Sequence, residues 1–152
     1  MNKPENISAR AFNVTDMLCF DIYSANQAFG QVYKDLLNPL GITYPQYLVF
    51  VSLWAKDRQT VSEIGSNIGL ESSTLTPLIK RLEQKGLVVR KRDEGDERKV
   101  IVSLTPRGMA LEEEAQLIPE CVARATGLTV TEIAHLQQLL TKTRMTLSSR
   151  TD

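Results

Sequence analysis

Cys19 and Cys121 are the two cysteines of this 152-residue sequence. Cys19 lies in the stretch LCFDIYSANQAFGQVYKDLL, early in an apolar helical pattern that also carries Tyr23 and Tyr33. A cysteine attacks a peroxide oxygen as the thiolate, and nearby donors or positive charge favour that form. The first turn of a helix supplies partial positive charge, although Asp16, one turn earlier, opposes it if it faces the same side. Tyr23, four residues on, can reach Cys19 across one helix face. Tyr33 cannot, because fourteen residues along a continuous helix amount to about 21 Å. If two such helices cross antiparallel in a dimer, Tyr33 of one chain can approach Cys19 of the other. Leu18, Phe20, Ile22 and Phe12 form an apolar surround that suits organic rather than small polar peroxides. The bland alternative is that Cys19 is a small buried core residue, the usual fate of a lone cysteine. Cys121, just after Pro119, reads either as a thiol left accessible by a bend there or as a bland buried cysteine.

The rest of the composition bounds what these cysteines can belong to. The length fits one domain, and no apolar run approaches the roughly 18 residues needed to span a bilayer. The N-terminus lacks the basic and hydrophobic pattern of a signal peptide. Two cysteines without a CxxC make no disulfide framework, so the sequence reads as cytoplasmic. With a single histidine besides, no zinc site and no other cofactor is expected. The net charge is zero, but residues 80–107 hold nine basic side chains against five acids. A basic segment in an otherwise acidic chain is the electrostatic footprint of a nucleic-acid partner.

Caps divide the chain into elements. Polar residues at 13–16 precede an amphipathic stripe of Leu18, Ile22, Ala25, Phe29, Val32 and Leu36 at helical spacing, which Asn38-Pro39 and Gly41 end. Thr43 with Gln46, Thr60 with Glu63, and Thr129 with Glu132 form capping boxes. Gly86 closes the helix ESSTLTPLIKRLEQK. LVVRKR and KVIVSL flank DEGDER and read as a hairpin. Thr105-Pro106 starts a further helix, which Pro119 bends or ends, and Gly127 precedes the last one. His135, in that last helix, reads as a surface or interface residue.

Helix, short helix, turn, helix and ribbon is the order of a winged helix-turn-helix. Its second helix, the candidate recognition helix, shows Ser72, Ser73, Thr74, Thr76, Lys80 and Arg81 around a core stripe of Leu75, Leu78, Ile79 and Leu82. Short hydroxyl side chains at a helix start bring donors close to phosphates and base edges. Pro77 is expected in the first turn, where no backbone donor is needed, and Glu71 is a weaker cap than Asp. Arg92, with Asp96 and Arg98 at the ribbon tip, can reach a neighbouring groove. The competing reading is a helical domain with a solvated basic hairpin.

These residues resemble the MarR family of regulators, and specifically its organic-hydroperoxide-responsive OhrR branch. LCFDIYSANQAFGQVYKDLL, GITYPQYLVFVSLW and STLTPLIKRLEQKGLVVRKRDEGDERKVIVSLTPRG stand in family order over nearly the whole chain. One departure is Glu71-Ser72-Ser73, where that branch often has Asp-Ser-Gly. The resemblance implies a mainly α protein with a small β-hairpin: one domain over 1–152, with a winged helix-turn-helix at about 43–106 and dimerisation helices at about 10–40 and 107–150. It implies a homodimer on a pseudopalindromic double-stranded DNA operator, no membrane role, and a repressor released when an organic hydroperoxide oxidises Cys19. Tyr33 and Tyr44 of the partner subunit would then donate to the Cys19 sulfur, and Cys121 would capture the oxidised sulfur as an intersubunit disulfide. The alternatives are a MarR-type regulator answering a small aromatic ligand with Cys19 passive, and a thiol peroxidase. The enzyme is disfavoured because Cys19 lacks the Pro/Thr/Arg setting of peroxidatic turnover.

Overall fold

Reciprocal caps start three of the helices. The computed structural model describes residues 13–150, so Phe12 and the first residues of the expected opening segment lie outside the described residues. After a 3₁₀ turn at Val14–Asp16 come α1 (Leu18–Leu37), α2 (Tyr44–Ala55), β1 (Gln59–Thr60), α3 (Val61–Ile68), α4 (Ser72–Gln84), β2 (Val88–Arg92), β3 (Val100–Leu104), α5 (Pro106–Ala115), α6 (Ile118–Ala125) and α7 (Val130–Ser148). Thr43, Thr60 and Thr129 each accept the N–H three residues on, while Gln46, Glu63 and Glu132 bond back to the threonine N–H. Each box satisfies two donors that a helix start otherwise leaves unpaired. Thr105 caps α5 by accepting the Gly108 N–H at 3.1 Å.

The expected hairpin forms and is extended by a third strand, and two other local expectations are corrected. The hairpin belongs to a three-stranded antiparallel sheet of order β1-β3-β2, with Gln59 opposite Val102 and Thr60 opposite Ile101. Pro119 neither bends nor ends α5, which stops at Ala115; it sits in the first turn of α6, where a missing N–H costs nothing. Pro77 lies inside α4 rather than in its first turn, so it returns no N–H to the Ser73 carbonyl.

β1 is held by one buried glutamine. Gln59 Nε2 donates to the carbonyls of Ser52 (2.8 Å) and Lys56, and its Oε1 accepts from Asn67 Nδ2 at 2.8 Å. This side chain ties β1 to both α2 and α3. The core lies under the sheet and between α2 and α4, where Phe50, Leu53, Ile64, Leu75, Ile79 and Leu82 are fully buried. Each such side chain contributes roughly 1.5–3 kcal/mol relative to exposure. At the junction with α5, Trp54 Nε1 donates to the Gly108 carbonyl at 3.0 Å. Gly108 itself backs onto Leu87, whose carbonyl oxygen would stand 2.1 Å from an added Cβ.

α1 and α7 behave differently. The α1 stripe meets the chain's own core only at its C-terminal end, where Leu37 is buried and Val32 and Leu36 pack against it. Leu18 is 67% exposed, and Ile22 and Phe29 are exposed as well. No residue of α7 is buried, and Leu136, Leu139 and Leu140 face water.

Candidate nucleic-acid interface and thiol site

α4 presents its polar face at its start. Ser72, Ser73, Thr74 and Lys80 are exposed, and so is Arg81, while Leu75, Ile79 and Leu82 anchor the opposite face. Glu71 occupies the N-cap without a side-chain hydrogen bond to the helix. Thr74 N–H donates to the Glu71 carbonyl at 3.0 Å, so the N–H groups of Ser72 and Ser73 are the ones left for an outside acceptor such as a phosphate. Thr76 is half-buried, and its hydroxyl donates to the Ser72 carbonyl at 2.8 Å. Only its lone pairs remain for a base or phosphate. Pro77 is exposed on the same helix.

The wing carries its cations outward. Between β2 and β3 the chain closes on itself through Asp93 N–H to the Lys99 carbonyl (2.9 Å) and Lys99 N–H to the Asp96 carbonyl (2.8 Å). At the tip, Asp96 accepts both the backbone N–H and Nε of Arg98, whose side chain is 90% exposed. The hydrogen bonds from Arg98 hold the Asp96 carboxyl below its usual range. Arg92 ends β2 and is exposed.

The thiol site is divided between the ends of α1. Cys19, the second residue of α1, is exposed, and among the described residues nothing in its own chain hydrogen-bonds its sulfur. Tyr23 does not serve it here: its hydroxyl accepts from Gln27 Nε2 at 2.7 Å. Toward the other end, the Tyr33 and Tyr44 rings pack with centroids 4.2 Å apart, and Tyr47 lies 5.8 Å from Tyr33. Burial first, and then the neighbouring Tyr44 and Tyr47, push the Tyr33 phenol up to about 12. It stays protonated, and so a donor, at any physiological pH. Tyr33 and Tyr44 border a pocket of about 290 Å³ with Asn26, Phe29 and Gly30. Cys121 is half-buried in α6, with a guanidinium nitrogen of Arg124 4.0 Å from its sulfur. Among the described residues no three His, Cys, Asp or Glu side chains converge as a metal site.

The family model for the transcriptional regulators SarA/Rot matches residues 31–115. TtmR, an HTH-type transcriptional regulator of Methylorubrum extorquens, is 44% identical over 91% of this chain and 71% of its own length. The organic hydroperoxide resistance transcriptional regulator of Bacillus subtilis is 44% identical over 82% of each chain. Reduced AbfR bound to DNA superimposes with a TM-score of 0.78 at 35% identity, covering 91% of this chain and 95% of AbfR, a Staphylococcus epidermidis protein. The chain belongs to the MarR family of transcriptional regulators, in its OhrR-like branch.

As a MarR-family regulator, and not an enzyme, the chain brings Ser72, Ser73, Thr74, Lys80 and Arg81 onto one helix and Arg92, Asp96 and Arg98 onto one ribbon. It brings Tyr33 and Tyr44 together but leaves Cys19 and Tyr23 away from them. Two residues that the sequence reading passed over join the regulator's two surfaces: Glu83 of α4 and Arg90 of β2, 2.8 Å apart. They lie on different elements, a helix and the strand after it, so neither a helical nor a strand period pairs them, and only a capping glycine and a following strand hinted that they could meet.

Proposed function

We propose that this protein is a dimeric repressor that holds a pseudopalindromic operator through α4 and the wing, and releases it when an organic hydroperoxide oxidises Cys19. One observation carries the reading. Cys19 stands exposed on an apolar helix face without a hydrogen-bond partner among the described residues of its own chain, while the Tyr33–Tyr44 pair waits toward the far end of the same helix beside an open pocket. A second copy crossing antiparallel matches each cysteine to the other chain's tyrosines. It also covers the exposed Leu18, Ile22 and Phe29. Apolar surface of that kind marks an interaction site.

The chemistry follows from the groups present. The Cys19 thiolate attacks one peroxide oxygen, the O–O bond breaks, and the alkoxide takes a proton and leaves as alcohol. Sulfur has lost two electrons and becomes a sulfenic acid. The Cys121 thiol of the partner subunit then attacks that sulfur, forming an S–S bond and expelling water. AbfR has been seen on DNA both reduced and overoxidised, and separately with a disulfide formed. That pattern favours the disulfide, rather than oxidation of one sulfur, as the releasing state. Such a regulator works in the cytoplasm, and no helix among the described residues is long and apolar enough to cross a membrane.

The test is a gel-shift titration with cumene hydroperoxide. Wild type releases its DNA at about one peroxide per Cys19, and Cys19→Ser stays bound. Release of the Cys19→Ser protein would falsify the sensor. A second reading rests on the cleft of about 630 Å³ between α1, α6 and α7, lined by Phe29, Val32, Val122, Leu136 and Leu140 among others. It has the size and apolar lining of a small-molecule site. Release of Cys19→Ser by benzoate, with no response of wild type to peroxide, selects this reading instead.

A further inference from the structure

Glu83 fixes both the main chain and the side chain of Arg90. Its Oε1 accepts the Arg90 backbone N–H at 3.1 Å, its Oε2 accepts Arg90 Nε at 2.9 Å, and a terminal guanidinium nitrogen stands 2.8 Å from that same oxygen. The two side chains are 35% and 26% exposed. The Arg124–Glu120 pair makes a useful contrast, at 3.6 Å between side chains 64–72% exposed; such surface pairs contribute little. A forked arginine–carboxylate contact adds geometric restraint that a point charge does not. Arg90 holds the Glu83 carboxyl below its usual range, chiefly through the side-chain hydrogen bond. The Glu83 side chain is therefore a carboxylate at neutral pH.

Its position gives the clasp a purpose. The joint between α4 and the ribbon is the turn at Gly86, in the left-handed conformation at φ 71°. Backbone bonds from Gly86 N–H to the Glu83 carbonyl (2.9 Å) and Leu87 N–H to the Leu82 carbonyl (3.1 Å) close the turn. Beyond it, Arg90 pairs in register with Val102, and β2 runs on through Arg92 toward Asp96 and Arg98 at the tip. The clasp therefore braces the ribbon against α4 one step past the joint.

We propose that Glu83 is a positioning residue for DNA binding: through Arg90 it sets the angle of the wing to α4, so that both meet the duplex together. This rests on the reading that α4 and the wing are the DNA-contacting surfaces. The sign of the effect separates positioning from charge. Glu83→Gln removes a negative charge beside a DNA-facing surface and frees Arg90 for a phosphate, and both changes by themselves tighten binding. Positioning demands the opposite.

The experiment uses the full chain and a pseudopalindromic duplex enriched from random-sequence DNA with the wild-type protein. Glu83→Gln, Arg98→Ala and their combination are titrated well below the melting temperature of each, followed by circular dichroism. Glu83→Gln is expected to weaken binding about tenfold, and Arg98→Ala to cost much less in that background than in wild type, because coupled sites are not additive. Tighter or unchanged binding by Glu83→Gln, or full additivity with Arg98→Ala, overturns the proposal. If Glu83→Gln does not fold, Arg90→Lys keeps the charge, loses the fork, and is read in the same cycle. A wild-type protein indifferent to Arg98→Ala fails the underlying reading of the wing instead, and the two failures are told apart by that one arm.

Discussion

Asp96 receives Arg98 three times, from its backbone N–H at 3.2 Å, its Nε at 3.1 Å and its Nη2 at 3.4 Å, so the acid two residues upstream orients a highly exposed cation of the wing. The guanidinium is held along its Nε–Nη2 edge while its side chain stays 90% exposed. An arginine so aimed fits the narrow, electronegative minor groove. Arg98→Ala is therefore expected to weaken operator binding about tenfold. Lys142→Ala, far away in α7, should leave it unchanged. Log K should fall with log salt by about 0.9 for each phosphate neutralised. Equal losses from the two alanine variants would remove the wing from the interface.

The half-buried Cys121 sets the second expectation. Disulfide closure needs Cα atoms about 4.4–6.8 Å apart, so if the two sulfurs stand farther apart in the reduced dimer, trapping oxidised Cys19 would move the helices that carry them. Movement of that kind alters the spacing of two α4 helices that must fit half-sites about one helical turn apart. After peroxide, wild type should run as a covalent dimer on a non-reducing gel. Cys121→Ser should run as a monomer, progress to sulfinic acid by mass spectrometry, and remain on DNA. A wild type that stays monomeric with only Cys19 modified makes this a one-cysteine sensor.

Acid should erode stability through the caps. Glu63 and Glu132 titrate below the ordinary 4.5, each held down first by the backbone N–H of its capping threonine. A depressed folded-state value means the contribution is present above the ordinary value and lost as pH falls through the lowered one. Melting temperature should thus be flat in these groups from pH 6 to 8 and decline below about 4.5. Glu63→Gln keeps a cap acceptor without the titration, so its acid limb should be shallower. An identical acid limb in the two proteins removes Glu63 as a cause.

Much of this architecture can be read from local chemistry. The threonine caps, the Gly86 stop and the β-branched runs of the ribbon each declare themselves within a few residues, because capping and strand periodicity are short-range effects. β1 does not. Two residues carry no period, and their strand character comes from pairing with Val102 and Ile101 about forty positions away and from the buried Gln59 network. Pro119, expected to bend or end α5, instead starts α6, because a proline ends one helix or begins the next according to where the preceding turn breaks. On the site side, residue types and spacing singled out Cys19, Tyr33 and Arg98, whereas the Glu83–Arg90 clasp and the turning of the Thr76 hydroxyl onto its own helix depend on three-dimensional packing.

The apolar surface left open along α1 and α7 would link the stability of this chain to its concentration. A chain whose Leu18, Ile22, Phe29 and Leu139 face water gains stability from a second copy by mass action, so its melting temperature should climb with concentration. Scarce regulator would then spend more time as a partly unsatisfied single chain, the species that proteases and chaperones triage. Abundance would be buffered from below by turnover of unpaired chains. The gene it governs would respond to the supply of completed dimers rather than to the number of chains made.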